Sequence, residues 1–321
     1  PGSTIKALQA ATAVLRVHGL VTIVLYPGHH GGETECRVVE QWAGYLPAEQ
    51  FQVIQYRFAN RQPHAPYCIA IEKSKAGGSA IKPYPLKFKP EMKERVWGGR
   101  ALEQFGFDMP EGKIGEAWIL SEHSNGKTTV TNGPLAGLSL TTVSKIVGNT
   151  WFGKQTNASA TERFPLLVKL LDCHEDLSVQ VHPSDDYMGL PAGEQGKTEM
   201  WYVLDAKPGA QIVFGLKENV SRDDFIRAIE EDRIMETLNV IDVKKGDAFF
   251  IPAGTVHALG RGVLIAEIQQ NSDTTYRLYD YKRPGLDGKL RELHIEDSLN
   301  VIAFQNEGAT HKSTSSSPTK Q

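Results

Sequence analysis

Cysteine is scarce in this sequence, and what there is stands far apart. Cys36, Cys68 and Cys173 form an odd, widely spaced set, and no CxxC occurs. That excludes a disulfide framework and a thiolate zinc site, and leads us to expect a reducing, cytoplasmic setting. No stretch approaches the roughly eighteen consecutive apolar residues of a membrane-spanning helix, so no membrane role is expected. Neither sign of charge dominates: 35 Lys and Arg face 38 Asp and Glu, for a net charge of −3. A general nucleic-acid binder usually carries a basic excess, whereas a small anionic substrate needs only a few local cations. No internal repeat is visible, and no secretory leader opens the chain. It starts at Pro1 rather than Met, as a sequence does that begins inside a longer reading frame or after processing. The remainder is ordinary for a globular protein, with 321 residues, 40% hydrophobic and 23% charged. That length suits one large domain or two of usual size.

Two textures follow one another along the chain. Residues 4–15 read as an amphipathic helix with Ser3 as N-cap, and residues 19–26 as a strand buried on both faces. A glycine loop, a helix over about 33–46, and strands at 51–58 and 67–72 complete part of an α/β sheet. The small residues of 74–82 mark a linker. Beyond it short strands dominate, at 165–171, 176–182, 199–205, 210–215, 247–251, 263–270 and 274–281. Helices are expected at 140–147, 221–232 and 295–303, with Ser221 and Asp224 forming a helix start. Many short strands with Gly and Pro turns point to a β-sandwich or jelly roll. The polar stretch 305–321 is low in complexity and reads as disordered.

Four residues draw attention as a possible metal site. Gln180 and His182 alternate in one strand and so point the same way; Glu199 opens another strand, and His257 follows Pro252 and Gly254 at a strand end. Two imidazoles, a carboxylate and an amide oxygen can surround one divalent ion. Taken singly, each is more often a satisfied polar group than a ligand.

The segments around them carry a resemblance. Gly246, Pro252, Gly254 and His257 are spaced like the second motif of the cupin jelly roll, and QVHP followed by KTEMWY resembles the first. With RVWGG (95–99), GEAW (115–118), FPLLVKLLD (164–172) and EIQQNSDTTYRLYDY (267–281), residues 83–304 resemble the short bacterial form of type I mannose-6-phosphate isomerases. The resemblance implies a mainly β cupin with a few helices, and one zinc ion held by Gln180, His182, Glu199 and His257. It implies interconversion of mannose 6-phosphate and fructose 6-phosphate through a cis-enediol. It places Arg277 and Glu267 in the active site and makes Lys169 and Lys197 candidates for holding anionic oxygens. The sequence does not single out the group that takes the C2 proton, and an ion pair between Glu267 and a lysine or arginine competes with any catalytic role. Trp97 and Trp118 read as packing residues. Family members continue past the counterpart of Phe304 into a further β-rich segment, where this chain has a Ser/Thr/Lys stretch; weakened or absent activity is therefore expected. A metal-dependent cupin oxygenase and a non-catalytic sugar-binding cupin are the alternatives. Oligomeric state is not legible.

Residues 3–73 resemble something else. STIKALQAATAVLRVHGLVTIVLYPGHHGG, PAEQFQVIQYRF and APYCIAIEK are similar to the C-terminal half of small S-adenosylmethionine-dependent methyltransferases acting on a tRNA wobble uridine. The glycine-rich cofactor loop of that family is not in this chain, so a partial α/β fragment without cofactor binding is expected, joined by fusion to the cupin. His29 and His30 read as loop residues.

Overall fold

The computed structural model describes residues 2–62, 64–74, 84–147, 164–304 and 309–313. In chain order its elements are α1 (Gly2–Val14), β1 (Leu20–Leu25), α2 (Gly32–Gly44), β2 (Phe51–Tyr56), β3 (Tyr67–Lys73), β4 (Phe88–Lys89), β5 (Glu91–Gly99), β6 (Ile114–Leu120), β7 (Thr129–Val130) and α3 (Leu140–Val147). They continue with β8 (Leu166–Cys173), β9 (Val179–Val181), β10 (Glu199–Ala206), β11 (Gln211–Leu216), α4 (Arg222–Glu230), β12 (Leu238–Asp242), β13 (Ala248–Ile251), β14 (His257–Leu259), β15 (Val263–Gln270), β16 (Tyr276–Tyr279), α5 (Ile295–Val301) and β17 (Thr310–Lys312). Short 3-10 turns lie between them. No helix among the described residues is long and apolar enough to cross a membrane.

Two compact units emerge, residues 1–89 with 128–164, and residues 90–127 with 165–321. This division is not the single cut expected at 74–82; α3 groups with the first unit, where Leu140 and Val143 are buried. All of the expected linker except Ser74 lies outside the described residues.

In the first unit, β3 is central in an antiparallel sheet of order β1-β3-β2. The expectation that residues 19–26 are buried on both faces is corrected here. As an outer strand, β1 leaves Leu20 and Val24 58% and 53% exposed. An apolar run thus marks a strand without fixing its place in the sheet. Ser3 lies inside α1 rather than capping it, because the helix already begins at Gly2.

The second unit has the sandwich architecture that the strand spacing suggested. A seven-stranded sheet of order β17-β13-β10-β15-β8-β6-β5 and a five-stranded sheet of order β12-β11-β14-β9-β16 are antiparallel throughout. One core cluster draws Leu171, Trp201, Phe249 and Ile265 from the larger sheet and Ile212 and Leu259 from the smaller. A second joins Val179, Val181 and Val213 of the smaller sheet to Phe225 of α4 and to Ile295 and Leu299 of α5. The start of α4 is the expected capping box, in which Ser221 accepts from the Asp224 amide and the Asp224 side chain accepts from the Ser221 amide.

Sequence reading passed over β5 and β6, which carry RVWGG and GEAW. Their glycines allow the two strands to approach closely. A Cβ on Gly98 would lie 2.4 Å from the Gly115 amide nitrogen, and one on Gly115 would lie 2.6 Å from Trp97 Cζ3. The low-complexity stretch after 304 is also corrected in part. Thr310–Lys312 forms β17 against β13, whose free edge offers backbone partners to any extended segment.

Candidate metal centre and adjoining cavity

Strand register builds two rows of side chains in the second unit. In the larger sheet, Trp118, Lys169, Glu267 and Trp201 are direct cross-strand neighbours on β6, β8, β15 and β10. In the smaller sheet, His257, Gln180 and Arg277 are neighbours on β14, β9 and β16. Glu199 opens β10, and His182 directly follows β9.

His182, Glu199 and His257 converge, with one ligand atom from each within 4.8 Å of the others, and all three are buried. His182 Nε2 lies 3.2 Å from Glu199 Oε1, and His257 Nε2 lies 3.5 Å from Glu199 Oε2. The opposite ring nitrogens are committed. His182 Nδ1 donates to the Thr274 carbonyl at 2.9 Å and His257 Nδ1 to the Thr255 carbonyl at 2.8 Å. A carbonyl only accepts, so in the neutral rings both Nε2 atoms are lone pairs. Burial depresses both imidazoles, taking His182 down to about 3, with the Lys197 charge acting in the same direction on each. Glu199 stays ionised: burial opposes its charge, but the Lys197 ammonium outweighs that and holds it well below the usual carboxylate range.

Two lone pairs therefore face two carboxylate oxygens, neither of which accepts a well-aligned hydrogen bond. Such an arrangement calls for a cation. The Lys197 ammonium supplies one, 2.9 Å from Glu199 Oε1 and 3.1 Å from His182 Nε2. The nitrogen and oxygen donors fit a borderline divalent metal equally well, with the outward donor of each ring already hydrogen-bonded as metal-binding histidines require. Gln180 sits beside this group with its amide nitrogen 3.4 Å from His257 Nε2, while its oxygen accepts from Ser178.

A cavity of about 360 Å³ adjoins, with Arg95, Glu116, Lys197, Glu267, Arg277 and Arg291 among its lining residues along with Gln180. Ligand sites commonly fall between about 300 and 1,000 Å³. The ion pair that competed with a catalytic role for Glu267 exists: Lys169 Nζ lies 3.3 Å from Glu267 Oε1, and Trp201 Nε1 donates to Glu267 Oε2 at 2.9 Å. Burial works against the Lys169 ammonium, yet Glu267 and Glu116 outweigh it and raise its pKa. Burial and the Glu199 charge raise the Glu267 carboxyl, with Lys169 acting the other way. Arg277 has no carboxylate partner among the described residues; its Nη1 donates to the Glu292 carbonyl at 2.9 Å, and its buried Nε makes no hydrogen bond.

Sequence reasoning missed Glu116 and Arg95, although both lie in quoted motifs. Arg95 Nε donates to Glu116 Oε1 at 2.8 Å and Trp118 Nε1 to Glu116 Oε2 at 2.6 Å. Trp118 is thus more than packing, its ring centroid 5.2 Å from Lys169 Nζ. The signal available was the i, i+2 pairing of Glu116 with Trp118 in one strand. Burial opposes the Glu116 charge, but Lys169 and Arg95 bring its pKa down to about 2. A depressed carboxylate stabilises the fold above its unfolded pKa, and that contribution is lost as pH falls through the folded value. The window here runs downward from 4.5 to about 2. At about 1.4 kcal/mol per pKa unit, up to about 3 kcal/mol is at stake. Glu116→Gln should flatten the decline in stability between pH 5 and pH 3, measured by chemical denaturation; an unchanged slope would place the decline elsewhere.

Comparison with known proteins agrees with this picture. Residues 86–209 match the family model "Phosphomannose isomerase type I, catalytic domain", and residues 1–72 match "Putative rRNA methylase". Mannose-6-phosphate isomerase ManA of Bacillus subtilis is 47% identical over 219 residues, 68% of each chain. The mannose-6-phosphate isomerase of Streptococcus mutans is 42% identical over 225 residues, again 68% of each. A chloroplastic tRNA (mnm5s2U34)-methyltransferase of Arabidopsis thaliana is 37% identical over 71 residues, 22% of this chain and 26% of that protein. The crystal structure of the Bacillus subtilis mannose 6-phosphate isomerase superposes with a TM-score of 0.64 at 41% identity, covering 69% of each chain.

Proposed function

The chain belongs to the type I phosphomannose isomerase family, and we propose that it interconverts mannose 6-phosphate and fructose 6-phosphate, with one zinc ion held by Gln180, His182, Glu199 and His257. The observation that carries this reading is the convergence of two imidazole lone pairs on the Glu199 carboxylate beside a cavity lined by arginines and a lysine. On the same reading, residues 83–304 are the isomerase region and residues 1–73 the methylase-like segment.

An aldose–ketose isomerase moves one proton between C1 and C2 and another between O1 and O2. Zinc at this site supplies Lewis-acid stabilisation of negative charge developing on the sugar oxygens. Glu267, in the cavity wall with its pKa raised, takes the proton from C2 and returns it to C1. The electron pair released forms the C1–C2 double bond and the carbonyl oxygen O1 takes up a proton, giving the enediol. In its collapse to the ketose O2 gives up its proton as Glu267 returns the other to C1, so one proton has moved from C2 to C1 and one has been exchanged between O2 and O1. Lys169 balances Glu267 while that carboxylate is charged, and Lys197 holds the sugar oxygens. Arg277 offers its unpartnered Nε–H to the charge that develops in the transition state.

The test is an isomerase assay on the purified chain, coupled to elemental analysis. Zinc-dependent formation of fructose 6-phosphate supports the reading. Sugar binding without turnover would make the protein a binding cupin, and iron with oxygen uptake would make it an oxygenase. Arg277→Ala should lower turnover about 10²-fold with little change in melting temperature, since no ion pair is lost. Near-normal turnover together with a lowered melting temperature would make Arg277 structural.

A further inference from the structure

Arg291 belongs to none of the motifs above, yet it shares the cavity wall with Arg277. We propose that Arg291 binds the phosphoryl group of the substrate and that Asp280 is the residue that positions it; this rests on the isomerase reading.

Asp280 is 5% exposed and grips one edge of the guanidinium. Arg291 Nε donates to Asp280 Oδ2 at 2.6 Å, and Arg291 Nη2 donates to Oδ1. Arg283 Nη2 donates to the same Oδ1 at 3.0 Å, so Asp280 sits between two guanidiniums and does not depend on Arg291 alone for its charge balance. The fork fixes the plane of the Arg291 head and leaves Nη1 without a partner among the described residues. A planar guanidinium held on one edge presents the other to an anion, the geometry that suits a phosphoryl group.

Its place along the wall fits a sugar phosphate. His257, Gln180 and Arg277 follow one another across neighbouring strands. The strip that carries Arg291 comes next, because His294 N donates to the Arg277 carbonyl at 2.8 Å and Arg277 Nη1 to the Glu292 carbonyl at 2.9 Å. The metal-type cluster therefore stands at one end of this series and Arg291 at the other, with Arg277 between. A substrate whose carbonyl end reaches the first would bring its phosphoryl end to the second. Two of the wall's carboxylates are already balanced by other cations: Glu116 is engaged by Arg95 and Glu267 by Lys169.

The zinc-loaded full chain provides the test, by calorimetric titration with inorganic phosphate and by steady-state kinetics with mannose 6-phosphate. Removing a charge-assisted hydrogen bond should weaken phosphate binding about tenfold or more in Arg291→Ala. The same change should raise KM more than it lowers kcat and leave zinc content unaltered. Arg291→Lys keeps the charge but loses the fork, so an intermediate loss is expected; if Arg291→Ala does not fold, this variant carries the comparison. Asp280→Asn should shift phosphate affinity and KM in the same direction by less. Unchanged phosphate affinity in the arginine variants, or no phosphate binding by the intact protein, overturns the assignment. Turnover in the intact protein with Arg291 indifferent would leave the isomerase reading standing alone. Phosphate binding through Arg291 without turnover would leave only the anion site.

Discussion

Replacing both His182 and His257 by alanine should leave the protein unable to retain stoichiometric zinc and reduce mannose 6-phosphate turnover to background. Each ring brings one Nε2 lone pair to Glu199, with its Nδ1 hydrogen already spent on a backbone carbonyl. Even the loss of a residue that only orients a ligand costs about 10- to 100-fold in metal affinity. Loss of two ligands should therefore exceed about 10²-fold per ligand removed. The comparison is elemental analysis after equal dialysis, with folding checked by circular dichroism. Undiminished metal in the double variant would falsify the ligand assignment, whatever happened to activity.

The second large effect is expected for Glu267→Gln. If Glu267 carries the proton between C1 and C2, its amide replacement cannot, and turnover should fall about 10²- to 10⁴-fold. The same change removes one partner of a buried ion pair, which alone costs about 3–5 kcal/mol. Turnover and stability must therefore be measured together. Lys169→Met breaks the same pair while keeping the carboxylate. If catalysis is the primary role, it should lose stability comparably and, with Lys169 no longer holding the carboxyl down, keep turnover on a pH profile shifted upward, whereas Glu267→Gln stays inactive at every pH. Equal turnover losses in the two variants across the whole pH profile would show that the pair acts through structure.

How much of this was legible beforehand depended on what each signal encodes. Strand spacing and turn residues disclosed the sandwich, and all fifteen expected elements fell near their positions. Pattern along one strand could place Gln180 and His182 together, but it could not say which residue of a distant strand lies opposite. The neighbours Lys169 and Glu267 are 98 positions apart in sequence, and only the pairing of β8 with β15 brings them together. Arg95 and Glu116 escaped for a related reason. Their strands meet through a register shift near the two glycines, so neither shows a clean alternation. The burial error at β1 came from the same blindness, since an outer strand and a central one can share an apolar sequence.

The cross-strand row Trp118–Lys169–Glu267–Trp201 has a consequence for how the protein breathes. Its members hang from four adjoining strands in the middle of the seven-stranded sheet, where no single strand can leave without stripping hydrogen bonds from two others. Backbone amides there should exchange with deuterium only through opening of the whole sandwich, as slowly as any in the second unit. Arg291 and Lys197 lie on connecting segments and belong to the faster-exchanging class. Heating should consequently loosen substrate capture before it dismantles the centre of chemistry, with KM rising at temperatures where deuterium uptake in β8 and β15 is still negligible.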